Sequence, residues 1–390
     1  MQLGHSRPAA QFSTELREKV TRSIAKASHD FRSDVVTVPT EDMLQAILHA
    51  SVGDDVYDIE GDASTNALEA RVLELTGKEA ALWAVSGTQA NQLGLRTHLN
   101  QPPHSVLLDH RAHVHCSEVG ALPLLSQASV TMVVPHNGLH LTLEDVKGRI
   151  IPQGNIHATP TRVVCLENTL SGVILPLRDA EAISQYVRSL PVPQGQQAIA
   201  MHLDGARLFD AVVAEGVDVK AYVACFDSVS ICLSKGLGAP IGSILLGSKD
   251  FISRARIFRK MFGGGTRQPG MMTAAAHAAL NHTIPRLPLV HSMARETFQR
   301  LQAIGYTASL PVQTNMILLD LPKAGISPDA FIGYCRQAGL QVTYSGRLVF
   351  HHQTSTEATN KLVNALQRLM EDKNRGRIED CVAVPSAGHC

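Results

Sequence analysis

The chain has 390 residues, and 35 lysines and arginines balance 35 aspartates and glutamates for a formal net charge of zero. Hydrophobic residues make up 44% and charged residues 18%, which predicts a sizeable core and excludes global disorder. No basic excess points to nucleic acid, and no apolar run is long enough to span a bilayer. The length suffices for one large domain plus a smaller one. Seven scattered cysteines form no Cys-x-x-Cys pair, and several fall inside apolar runs. They read as reduced residues in a reducing compartment. Residues 1–13 are polar and lack an apolar signal core, so a cytoplasmic setting is expected.

Taken in order, residues 1–30 form a polar arm with a helical pattern around 15–27. Asp30-Phe-Arg-Ser-Asp-Val-Val-Thr-Val-Pro39 is an extended piece stopped by proline. Residues 41–50 have helical spacing, and Gly53-Asp-Asp-Val-Tyr57 is a loop that reads equally well as a solvated acidic turn. Residues 67–75 form an amphipathic helix ending at Gly77. An apolar strand over 79–85 then meets Ser86-Gly-Thr-Gln-Ala-Asn91, which opens a helix. Strand, small-residue turn and helix start leave backbone N–H groups free to meet a phosphate. A helix N-cap explains one of these residues but not the whole turn.

From there strands and helices alternate. Strands are expected over 105–108, 129–135, 162–167, 197–203, 228–233 and 241–246, with helices over 143–150, 179–190 and 219–225. This alternation predicts a mostly parallel α/β sheet with helices on both faces, and ligands beyond the carboxyl ends of its strands. A basic helix over 248–260 leads to the glycine-rich loop Gly263-Gly-Gly-Thr-Arg-Gln-Pro-Gly270. Helices over 271–281 and 289–304 follow. The remainder reads as a strand (316–321), a helix (328–337), strands (341–344 and 347–350) and a last helix (357–370). The expected organisation is an arm (1–30), a large domain (31–285), a small α+β domain (286–372) and a disordered tail (373–390).

The chemistry gathers at the predicted rim. Lys235 lies between two apolar runs, and burial there would lower its pKa and make the amine a nucleophile toward a carbonyl. Taken alone it is more readily a loop lysine on the surface. Asp204 stands just past a strand end, with Arg207 three residues on. Gly87 and Thr88 offer the phosphate turn, His113 and His157 read as imidazoles following strands, and Arg347 comes from the small domain. A lysine, an aspartate and a phosphate turn fit pyridoxal phosphate: an amine for a Schiff base, a carboxylate for the pyridine nitrogen, N–H groups for the phosphate. No metal is expected.

Seven segments carry a resemblance: Phe31-Arg-Ser-Asp34, Gly53-Asp-Asp-Val-Tyr57, Ser86-Gly-Thr-Gln-Ala-Asn91, Glu167-Asn-Thr169, His202-Leu-Asp-Gly-Ala-Arg207, Ile231-Cys-Leu-Ser-Lys-Gly-Leu-Gly238 and Gly263-Gly-Gly-Thr-Arg-Gln268. Together they resemble the threonine aldolase family of fold type I (aspartate-aminotransferase-like) pyridoxal-phosphate enzymes. The resemblance implies a mostly parallel seven-stranded sheet domain with a smaller C-terminal domain. It implies Lys235 as the Schiff-base lysine, Asp204 as the partner of the ring nitrogen, and Gly87 and Thr88 as the phosphate turn. His113 matches the histidine stacked on the ring, and His157 a second histidine near the substrate side chain. Ser33, Arg207 and Arg347 match groups that hold the substrate carboxylate. Arg267 matches a glycine-loop arginine near the cofactor, a position that a second subunit can supply. Homodimers, often paired into homotetramers, are implied as well.

Two segments depart from the family pattern. Leu170 stands where histidine usually follows Glu-Asn-Thr, and Tyr57 leads into a different loop, residues 58–62. The leading expectation is cleavage of L-threonine or L-allo-threonine to glycine and acetaldehyde, favoured by the retained His113 and His157. The alternative is an amino-acid (alanine) racemase on the same scaffold, supplying a D-residue to a fungal peptide-synthetase pathway. A cofactor-free scaffold protein is opposed by the intact Lys235, Asp204 and phosphate turn.

Overall fold

The computed structural model describes residues 14–57 and 60–377. The first part of the expected arm (1–13), Asp58 and Ile59 of the departing loop, and the tail from 378 on lie outside the described residues.

Seven strands form one sheet: β1 (Ala80–Ala84), β2 (Ser105–Asp109), β3 (Ser129–Val133), β4 (Thr161–Glu167), β5 (Ala200–Asp204), β6 (Ser228–Cys232) and β7 (Ser243–Gly247). Their order is β1-β7-β6-β5-β4-β2-β3. The run from β6 to β3 is parallel throughout, and β7 is antiparallel to both β6 and β1. The reversal has a local cause. The other strands of the parallel run are joined through helical crossovers, whereas β6 and β7 are joined only by residues 233–242, too short for a crossover. Lys235 sits in that loop.

Strands β2, β6 and β7 are buried along their whole length; β2 and β7 carry continuous apolar stretches, as strands covered on both faces do, while β6 alternates serine with apolar residues. One face packs Trp83, Leu107, Val164, Leu203, Ile231 and Leu246 against helices. The other carries two smaller clusters, around Leu95 and Val106 and around Leu82 and Leu245. Helix Gly87–His98 crosses this second face and is almost wholly buried beyond its first turn.

A second core is built by helices Leu287–Ala303, Pro328–Gln337 and Thr356–Asn374 with the antiparallel pair β8 (Met316–Leu318) and β9 (Arg347–Val349). Phe31 belongs to it. Its ring meets Phe350 edge-on at 5.3 Å, its N–H donates to Gln341 O and its carbonyl accepts from Val349 N. This segment takes the place of the expected strand over 341–344, which is reduced to a single bridge between Asp30 and Gln341. Three short helices escape the sequence reading: His113–Cys116, Ala121–Ser126 and Leu208–Glu215. The last is nearly all apolar, so it shows no polar face, and it stops at Gly216 with φ of 73°. The final helix runs through Asn374, past the expected start of the tail. No helix among the described residues is long and apolar enough to cross a membrane.

Candidate active site

Strands β1, β2, β4, β5 and β6 all end at one edge of the sheet, and β7 begins there. That edge collects most of the residues singled out above. Asp204 is the last residue of β5 and is buried. Its Oδ1 accepts from Ala206 N at 3.1 Å and its Oδ2 from Asn91 Nδ2 at 2.7 Å. Lys235 is half-buried on the loop after β6, and its side-chain amine has no hydrogen bond or ion pair among the described residues. Its charge acts on Asp34, His113, Glu167 and Cys232.

Gly87 begins the helix that follows β1, with Ser86 as N-cap accepting from Gln89 N. A Cβ at Gly87 would come within 2.5 Å of Cys232 Sγ, so the turn packs against the end of β6 only because it has no side chain. The N–H groups of Gly87 and Thr88 find no acceptor among the described residues. As first-turn donors of a 12-residue helix they are free for an anion.

His113 opens its short helix just after β2. Its backbone N–H donates to Glu167 Oε2 at 2.8 Å and its Nδ1 to Glu118 Oε1 at 2.9 Å. The Glu118 bond raises the imidazole's pKa; burial opposes this and Asp204 adds to it. Glu167 ends β4. Burial first, and the Asp204 charge second, push its carboxyl well above the usual carboxylate range.

The three candidate carboxylate-holding residues also converge. Arg207 pairs with Asp34 through two bonds, Nε to Oδ2 at 2.7 Å and Nη2 to Oδ1 at 2.6 Å. Burial alone would raise Asp34's pKa, but Arg207 above all, with Lys235 and Arg347, holds it at about 2. Ser33 Oγ lies 3.5 Å from Asp34 Oδ1. Arg347, the first residue of β9, is half-buried and has no carboxylate partner among the described residues. Burial lowers its pKa, and Arg207 lowers it further.

Two candidates are not brought in. His157 does not follow a strand: it is exposed on the loop that enters β4, four residues before Thr161. β4 spans about 20 Å, so within one chain His157 stands at the opposite end of the sheet from Glu167 and Lys235. Arg267 is exposed and pairs with Asp54 Oδ2 at 3.0 Å, although its loop reaches the Gln89 side chain through Gly264. Leu170 is buried, with its backbone bridged to Val173.

Four polar residues of this edge, three buried and one half-buried (Glu167), carried no expected role. Asp34, Asn91 and Glu167 stand inside quoted segments; Glu167 was marked by closing the apolar run 163–166, whereas Asp34 and Asn91 stand among polar neighbours with no such mark. Glu118 stands in none. It lies five residues past His113, beyond a one-turn helix, a spacing with no periodic signature.

Residues 30–324 match the beta-eliminating lyase family. The chain is 43% identical over 343 residues to a probable low-specificity L-threonine aldolase of Schizosaccharomyces pombe, covering 88% of each chain. It is 36% identical over 350 residues to the alanine racemase TOXG of Cochliobolus carbonum, covering 88% of this chain and 87% of that one. The fold superposes on a threonine aldolase of Leishmania major with a TM-score of 0.73 at 19% identity, covering 88% of this chain and 99% of the other. The chain therefore belongs to the beta-eliminating lyase family, in the threonine aldolase group to which its motifs pointed.

Proposed function

We propose that the protein is a pyridoxal-phosphate-dependent aldolase that cleaves L-threonine and L-allo-threonine to glycine and acetaldehyde. The observation that carries this reading is the meeting, at one sheet edge, of an unpaired amine, a buried carboxylate, an imidazole and a helix start with free N–H groups. These fit the cofactor. Gly87 and Thr88 N–H groups suit its phosphate. Asp204 accepts one bond at each oxygen and keeps lone pairs for a protonated ring nitrogen. Lys235 supplies the amine that would hold it, and His113 stands beside Asp204. When bound, pyridoxal phosphate supplies an electron-withdrawing ring that accepts the pair released as a bond to the amino acid's α-carbon breaks.

The rest falls to the chain. Arg347, a guanidinium with no carboxylate bonded to it among the described residues, suits the substrate carboxylate as a two-pronged donor. Arg207 is neutralised by Asp34 and offers its remaining N–H groups beside it. Ser33 shares that corner. Gripping the carboxylate fixes which bond at the α-carbon stands perpendicular to the ring. His113 keeps Nδ1 on Glu118, which leaves its other ring nitrogen to take the β-hydroxyl proton, directly or through water.

His157 and Arg267 are exposed in a single chain, so a role for either requires a second copy that lays them against this edge. We therefore include a homodimer or homotetramer in the proposal. Val52, Tyr57 and Met261 leave large apolar side chains exposed on the segments around the Arg267 loop, which supports such a contact. A cytoplasmic setting fits the free cysteines Cys116, Cys165, Cys225, Cys232 and Cys335.

The racemase relative and Leu170 favour one second reading, exchange of the α-proton of alanine. Incubating the pure protein separately with L-threonine, L-allo-threonine and L-alanine decides between the two. The proposal expects acetaldehyde from the first two and little D-alanine from the third. Fast conversion of L- to D-alanine without acetaldehyde would replace it.

A further inference from the structure

The buried polar groups behind His113 form one connected device. Glu118 has no exposed side-chain surface. Its Oε1 accepts from His113 Nδ1 at 2.9 Å and from Asn91 Nδ2 at 3.0 Å, and its Oε2 from Gln92 Nε2 at 2.6 Å. The Asn91 amide spends its second hydrogen on Asp204 Oδ2, at 2.7 Å. Two carboxylates on the nitrogen side fix which way the amide points, and its carbonyl accepts from Ser230 Oγ at 2.5 Å. One amide thus bridges two buried carboxylates whose oxygens, with the nearer His113 nitrogen, lie within 4.8 Å of one another.

Two carboxylates this close, out of water, repel unless donors stand between them. Asn91, Gln92 and His113 are those donors. A charge kept at that cost has to be compared with the neutral amide that would fill the same space. Glutamine at position 118 would keep the volume and one acceptor. What it could not keep is a negative charge behind the imidazole.

We propose that Glu118 is a positioning residue of this site. By its own bond to His113, and through the Asn91 amide, it locks the imidazole against Asp204, so that one ring nitrogen is held from behind and the other is left for the substrate's proton. This rests on the reading of His113 as the group that handles that proton. The titratable groups facing the imidazole are Glu118 from the turn behind it, Asp204 from β5, Glu167 from β4 and Lys235 from the loop after β6. Glu118 is the one whose side chain bonds the ring itself.

The test is Glu118→Gln in the holoenzyme, with two readouts. One is the pH at which the resting visible spectrum of the bound cofactor changes. The other is the acid limb of the pH profile of turnover. Removing a negative charge leaves every proton in the site held less tightly, so both are expected to move to lower pH. Turnover at neutral pH should fall, by less than the ~100-fold or more that loss of the base itself costs. Gln92→Met removes only the donor to the far oxygen and keeps the carboxylate. Its acid limb is expected at or above the wild-type pH, which separates charge from packing even if Glu118→Gln folds poorly. If Glu118→Gln keeps both the spectral transition and the acid limb of the wild type, Glu118 only fills space and the proposal falls. The spectral readout needs no substrate, so it judges Glu118 even in a protein that racemises alanine. A failure of the aldolase reading is therefore distinguishable from a failure of this one.

Discussion

Replacing Asp34 by asparagine removes one charge from the most deeply buried ion pair of the candidate site. The carboxylate is wholly buried, and Arg207 is about nine-tenths buried. Burial raises the carboxyl's pKa, yet Arg207, Lys235 and Arg347 bring it down to about 2 from 3.8. Holding it that far down is worth about 2 kcal/mol of folded-state stability at neutral pH. The variant also strands the Arg207 guanidinium beside Arg347, and breaking a buried pair by removing one partner costs about 3–5 kcal/mol. Asp34→Asn should therefore destabilise by about 3 kcal/mol at pH 7. The sign with pH follows from the lowered pKa. The contribution is full above the unfolded carboxyl's pKa and is lost as pH falls through about 2, so variant and wild type should converge in acid. Urea unfolding followed by fluorescence of the single tryptophan, the buried Trp83, reads this at pH 7 and again near pH 3. A difference below about 1 kcal/mol at pH 7, or one equally large at pH 3, would refute the reasoning.

Three further substitutions, one of them paired with a compensating change, probe the site. Asp204→Asn keeps the volume but removes the charge, and turnover should fall more than ~100-fold, about 2.7 kcal/mol in the barrier; a loss under about tenfold would make Asp204 merely structural. Gly87→Ala drives a methyl against Cys232 Sγ; it should weaken cofactor retention and cost about 1–3 kcal/mol, and Cys232→Ala should restore both by emptying the space. Arg347→Ala should raise KM for L-threonine ~10-fold or more, as loss of a charge-assisted bond of about 1.5–3 kcal/mol implies; an unchanged KM would move carboxylate recognition elsewhere.

What could be read from the chain, and what could not, divides along physical lines. Strands β1, β2, β4 and β5 were legible because buried strands are short, mainly apolar stretches bounded by turn residues, and β6 because its β-branched and small residues lie between such turns. Asp204 and Lys235 were legible because each stands where such a run stops. The direction of β7 was not marked, since it depends on the loop at 233–242 being too short for a crossover. The strand expected at 341–344 failed because a distant segment, Asp30 and Phe31, competes for its backbone bonds. His157 was placed at the wrong end of a strand because a loop entering a strand looks, in sequence, like one leaving another. Glu118 and Asn91 were missed for a different reason. Their importance lies in side-chain bonds made across the fold, to His113 and Asp204, and no local pattern encodes them.

The central claim is that Lys235 holds the cofactor. Treating the holoprotein with borohydride fixes pyridoxal phosphate to whichever lysine carries it, and peptide mass spectrometry then locates the adduct. The adduct is expected on the peptide containing Lys235, with Lys235→Ala colourless, unlabelled and still folded. An adduct on another lysine, or a Lys235→Ala protein that keeps wild-type turnover, would contradict the account.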